Sequence, residues 1–162
     1  MRFRSFLAVG GTLVSACASS TSGRVTLADL SVGPVHVRDD TISLYREVGP
    51  PARRLATAVV AGAPFGTWYY SGFECWMVTG WHCDQLTATN ASVSVSKGVR
   101  VGMTRAQVLD VLGPAASCAT RGDTLYLFYR LYPANTVSGL VGKFTADTAR
   151  VFVVGQLRFI FM

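Results

Sequence analysis

Residues 99 to 114, VRVGMTRAQVLDVLGP, carry a helical period of apolar positions with both ends marked. Val108, Leu109, Val111 and Leu112 fall on one stripe. Thr104 stands at the N-cap position, and Gln107 three residues later completes a capping box. Met103 before the cap and Val108 at the fourth helical position form a hydrophobic staple. Gly113 suits the left-handed residue that closes a helix, and Pro114 forbids its continuation. The pattern predicts a helix over 105–112. A helix this short is unstable alone in water, so its stripe has to be buried on something else.

A fainter version, VHVRDDTISLYREVGP, occupies residues 35 to 50. At an offset of 64, Leu44 falls on Val108, Val48 on Leu112, and Gly49-Pro50 on Gly113-Pro114. Here Asp40 can cap, but Asp39 replaces the staple methionine and Ser43 replaces the glutamine of the box. This helix is expected to fray more easily. An aromatic stretch follows each copy, Gly66-Thr67-Trp68-Tyr69-Tyr70 and Asp123-Thr124-Leu125-Tyr126-Leu127. The recurrence predicts a divergent duplication, with repeats at 24–85 and 86–162.

Residues 123 to 132 switch to a period of two. Leu125, Leu127, Tyr129 and Leu131 point one way; Tyr126, Phe128, Arg130 and Tyr132 point the other. Two hairpins are expected. Gly155-Gln156, between 151–154 and 157–162, is a pair suited to a type II′ turn. Val78-Thr79-Gly80, between 74–77 and 81–86, is a three-residue loop with glycine at its left-handed position. The expected class is α+β, two repeats with short helices packed on one face of an antiparallel sheet.

The N-terminus reads differently. MRFRSFLAVGGTLVSAC has a basic start, an apolar run too short to span a bilayer, and then Cys17. Residues 1–16 are read as a signal peptide, and Val14-Ser15-Ala16-Cys17 resembles a bacterial lipobox, which makes Cys17 the expected acylation site. Cleavage after Ala18 is the rival reading. Residues 17–23 then form the lipidated cysteine and a small polar tether.

Composition narrows the classes. The chain has 162 residues, half of them hydrophobic and 15% charged, which fits a folded domain. The formal charge of +6 includes Arg2 and Arg4 of the signal, and the remaining cations form no dense stripe, so nucleic acid is not an expected partner. The 78–80 loop places Cys75 opposite Cys83 within disulfide range, in an exported setting that favours oxidation. Cys118 is left over, with pairing to Cys75 or Cys83 as the open alternative. His36 and His82 lack metal-ligand spacing, and Asp39-Asp40 suits a helix N-terminus better than paired-carboxylate catalysis. Trp68, Trp76 and Trp81 read mainly as core, with a partner-facing position as the lesser alternative, and Arg53-Arg54 as a solvated loop. No nucleophile elbow, phosphate loop or nucleotide fingerprint is present, so neither catalysis, a cofactor, a metal nor a small-molecule substrate is expected.

VRVGMTRAQVLDVLGP followed by an aromatic strand resembles the BamE (SmpA/OmlA) family, small outer-membrane lipoproteins that assist assembly of β-barrel proteins. By that resemblance Leu86-Thr87-Ala88 onward, through residues 89–98, corresponds to the family's first short helix. The duplication is also similar to that of the tandem-repeat β-lactamase inhibitory proteins, which bind an enzyme on the concave face of a sheet. The first resemblance implies an outer-membrane, periplasm-facing lipoprotein acting as a non-enzymatic scaffold or accessory subunit. The second implies a soluble inhibitor-like binder of an exported enzyme. For either role the expected protein-binding surface is Tyr126, Phe128, Arg130 and Tyr132, whose mix of aromatic and arginine side chains is that of interfaces.

Overall fold

The structure is a computed structural model and describes residues 25–60, 63–77, 81–131 and 138–156. In chain order the elements are β1 (Ser31–Val32), β2 (Val35–His36), α1 (Thr41–Val48), β3 (Arg53–Val60), β4 (Ala63–Tyr70), β5 (Phe73–Met77) and β6 (Cys83–Ala88). They continue with α2 (Arg105–Leu112), β7 (Ser117–Arg121), β8 (Thr124–Arg130), β9 (Ser138–Thr145) and β10 (Thr148–Gln156). Three-residue 3-10 turns stand at Leu27–Asp29 and Ser96–Gly98.

Both helices form where their end signals lie. In α2 the Thr104 hydroxyl accepts from the Gln107 amide at 3.3 Å, and the Gln107 side chain accepts from the Thr104 amide at 2.8 Å. In α1 the Asp40 carboxylate accepts from the Ser43 amide at 2.7 Å, without the reciprocal bond. Gly49 and Gly113 close the two helices at φ 77° and 78°, a region where a Cβ is strained, and each amide donates four residues back.

Beyond the helices, strands β3 to β10 form one antiparallel sheet in the order β3-β4-β5-β6-β10-β9-β8-β7. Each helix therefore leads into a four-strand meander, and the last strands of the two meanders, β6 and β10, pair at the centre. Register carries one row of side chains across seven strands: Arg54, Trp68, Cys75, Leu86, Val154, Leu140 and Tyr129. All but Arg54 are buried, and the row defines the core face. The neighbouring row, Tyr69, Glu74, Thr87, Val153, Val141 and Phe128, lies on the outer face.

The α+β expectation is corrected: the protein is mostly β. Eight strands spaced about 4.8 Å apart make a sheet over 30 Å wide, whereas an eight-residue helix is only about 12 Å long. The helices bury just Leu44, Val108 and Leu112. Much of the remaining cover on the core face is extended chain and turns, contributing Val25, Leu30, Val32, Val35, Val95 and Val99. These pieces do not form a helical layer.

Other expectations also change. Gly155 is not a turn residue: it lies inside β10, opposite Gly139 on one side and Gln85 on the other. Its φ is +119°, and a Cβ there would collide with the Asp84 carbonyl oxygen, so the central strands pass too closely for a side chain. Residues 86–88 are strand, not helix, and within 89–98 only Ser96–Gly98 is helical, as a 3-10 turn. Residues 78–80 of the expected loop, and 157–162 of the expected last strand, lie outside the described residues. The alternation over 123–132 is seen in β8, where Leu127 and Tyr129 are 2% and 0% exposed.

The stripe argument makes a direct prediction on α1. Leu44 is fully buried and Ile42 is 74% exposed on the same helix. Leu44→Ala should lower unfolding free energy by about 2–5 kcal/mol, and Ile42→Ala by no more than about 0.5 kcal/mol, in denaturant titrations. Equal losses would show that α1 is not seated as described.

Candidate protein-binding surfaces

The residues expected to bind a partner are only partly brought together. On the outer face Tyr126 and Phe128 stack with ring centroids 6.4 Å apart, and the Lys143 ammonium stands 5.7 Å from the Tyr126 ring. Both aromatics are half-buried against Val141 and Val153, which are 0% and 3% exposed and form a second, small apolar cluster with them. Arg130 is exposed at the end of β8. Tyr132 lies outside the described residues.

A second grouping stands at the β3 edge of the sheet. Arg53 and Arg54 are not a loop; they open β3, and successive strand residues point to opposite faces. Arg53 lies over the Tyr69 ring at 4.0 Å from its centroid. Arg54 lies over the Trp68 ring at 4.5 Å and faces the Tyr45 ring of α1 at 5.6 Å. Tyr45 meets Trp68 edge-on at 6.0 Å, which ties α1 to β4. A shallow groove runs alongside, lined by Arg54, Leu55, Ala56, Phe65, Gly66 and Trp68. Leu55 is 49% exposed. The signal in the sequence was the mostly apolar run of residues 55–60, rich enough in Val and Thr for a strand, that directly follows the two arginines.

The tryptophans divide by position. Trp68 is core, Trp76 is half-buried on the outer face, and Trp81 is 64% exposed beside the start of α1, where its carbonyl accepts from the Thr41 amide. Asp39 accepts from the His36 amide at 2.7 Å, and Asp40 caps α1. The Ser43 amide holds the Asp40 carboxyl below its ordinary pKa. Burial pushes the Tyr129 phenol up to about 12; its hydroxyl donates to the Gly113 carbonyl at 3.2 Å and locks the end of α2 to β8. Among the described residues no three of His, Cys, Asp and Glu converge as metal ligands.

Cys75 and Cys83 are joined by a disulfide, with Cα atoms 5.8 Å apart. They are not directly opposed as expected. Cys75 pairs with Leu86 and Cys83 with Met77, because a bulge at Asp84 shifts the register and makes the bridge diagonal. Cys118 is also disulfide-bonded, so its pairing with either of these two is ruled out.

No protein-family model matches the chain, and no curated protein does. Among solved structures, an extracellular protein of Bacillus anthracis containing an SCP domain is similar at 11% identity and a TM-score of 0.47. The match covers 86% of this chain and 48% of that one, so the chain spans about half of the neighbour's length.

The disulfide closes a loop with a sequence separation of 8. Replacing both cysteines by alanine should lower stability by about 2–3 kcal/mol, read in chemical denaturation with and without reductant. A double variant as stable as the oxidised protein would contradict the bridge.

Proposed function

We propose that this chain is a non-enzymatic protein of the cell envelope that binds another protein. In this reading it is anchored to the outer membrane through acylated Cys17 and serves as a scaffold or accessory subunit in outer-membrane assembly, as its BamE-like helix motif suggests. The observation that carries the protein-binding part is the outer-face grouping of Tyr126, Phe128 and Lys143 with exposed Arg130 at the strand end. Aromatic and arginine side chains around an apolar centre are what interfaces concentrate. Multiple acyl chains would hold the protein on a membrane almost irreversibly, since each buried methylene contributes about 0.8 kcal/mol.

One observation favours a second reading, a soluble inhibitor-like binder of an exported enzyme such as a β-lactamase. The sequence has four cysteines. Cys75 and Cys83 are joined to each other and Cys118 is bonded as well. Acylation of Cys17 would leave no other cysteine of this chain for Cys118. A sulfur carrying a thioether-linked lipid cannot also form a disulfide.

Labelled palmitate separates the two readings. The lipoprotein reading predicts label in the wild-type protein, none in Cys17→Ala, and recovery with membranes. An unlabelled soluble form in which Cys118 stays oxidised would overturn the anchor and support the inhibitor-like alternative.

A further inference from the structure

We propose that the β3 edge of the sheet is a docking site for an extended acidic segment of a partner protein, added as a ninth strand. The inference rests on the reading of the chain as a protein binder, but not on its anchor or on the outer-face patch. Among the described residues strand β3 is the terminal strand of the sheet and pairs only with β4. Residues 52 to 56 are all exposed, so its free side is accessible at this end. An edge strand with unsatisfied main-chain donors and acceptors is a template for another strand, and pockets for alternate side chains then select the sequence.

Those side-chain positions are unusually specified here. Arg53 and Arg54 sit next to each other on the strand and project to opposite faces. Each guanidinium lies over an aromatic ring, Tyr69 on the outer face and Trp68 on the core face. A guanidinium resting on an aromatic face keeps its N–H donors for other partners, and a carboxylate can meet such a fork through two parallel bonds. Among the described residues neither arginine has a carboxylate within ion-pair distance; the ion pairs are Arg46 with Glu47, Arg105 with Asp147, and His36 with Asp39. An added strand would therefore carry two consecutive acidic residues, one facing Arg53 and the other facing Arg54. A neighbouring apolar residue would cover Leu55, and the groove beside Gly66 and Trp68 has room for a side chain on the core face.

The same charges argue against a second copy of this chain as the occupant. Two β3 edges meeting about a two-fold axis would line Arg53 and Arg54 of both copies along one seam. Meeting β7 instead would bring in Arg121 at the end of that strand. Like charges on an edge are a common guard against self-pairing.

The test is selection from a random decapeptide display library by the full chain in detergent, compared with R53E/R54E and Y126S/F128S. Retained near-ultraviolet dichroism of each variant reports an intact fold. The proposal expects enrichment of peptides with adjacent Asp or Glu, affinity that falls with salt, and loss of roughly tenfold or more in R53E/R54E. Methylating alternate amides of an enriched peptide should abolish binding, and Y126S/F128S should still bind. Enrichment without adjacent acids, the same peptides recovered by R53E/R54E, no enrichment, or a dimer that R53E/R54E dissociates would each overturn it. Loss of peptide binding in Y126S/F128S alone would also overturn it, by moving the site to the outer face while leaving the protein-binder reading intact.

Discussion

The structure depends on the pairing of β6 with β10. Each meander on its own would present only four strands, and its short helix could shield only part of one face. Joined through Leu86–Val154 and Ala88–Phe152, the two meanders share a single core face, and Tyr129 at one end belongs to the same apolar row as Trp68 at the other. The seam is tight because Gly155 and Gln85 meet where a Cβ would strike the Asp84 carbonyl. The Cys75–Cys83 bridge starts directly opposite Leu86, the ladder partner of Cys75, and pins the β5–β6 side of the seam.

This arrangement decides where interaction can occur. Pairing the last strand of each meander at the centre pushes the first strands, β3 and β7, to the two edges of the described sheet. The core face is covered by α1, α2 and the extended segments that precede each of them. Besides the β7 edge, what remains is the outer face, with its Tyr126–Phe128 cluster, and the β3 edge, with its arginines over aromatic rings. The two are on different parts of the molecule and use different physics. The outer face offers apolar area flanked by Lys143 and Arg130, whereas the edge offers main-chain pairing with charge selection. Helix α1 contributes to the second by supplying Tyr45 against Trp68, so the same small element that shields the core also builds one wall of the arginine site.

Local signals were legible in the sequence where they act locally. Thr104, Gln107 and Gly113 specify their helix through bonds that span three or four residues, and each bond is present. The alternation in β8 was readable because Leu127 and Tyr129 on one of its faces are core, with Leu125 packed against them. The fold class was not legible, because burial of a helix stripe says what must be covered but not how much sheet does the covering. Gly155 looked like a turn residue because positive φ and close backbone approach require the same absence of a Cβ. Arg53 and Arg54 looked like a solvated loop because the aromatic rings beneath them belong to β4, more than ten residues away. The diagonal disulfide was half legible: its partners follow from the hairpin, but the bulge at Asp84 leaves no mark in the pattern.

Native-state hydrogen exchange, resolved by strand, measures the unity of the sheet most directly. If β6–β10 pairing holds the two meanders as one body, the slowest amides of β5 and β6 and those of β9 and β10 open with the same free energy and the same dependence on denaturant. Separate openings, with one meander exchanging while the other stays protected, would contradict it.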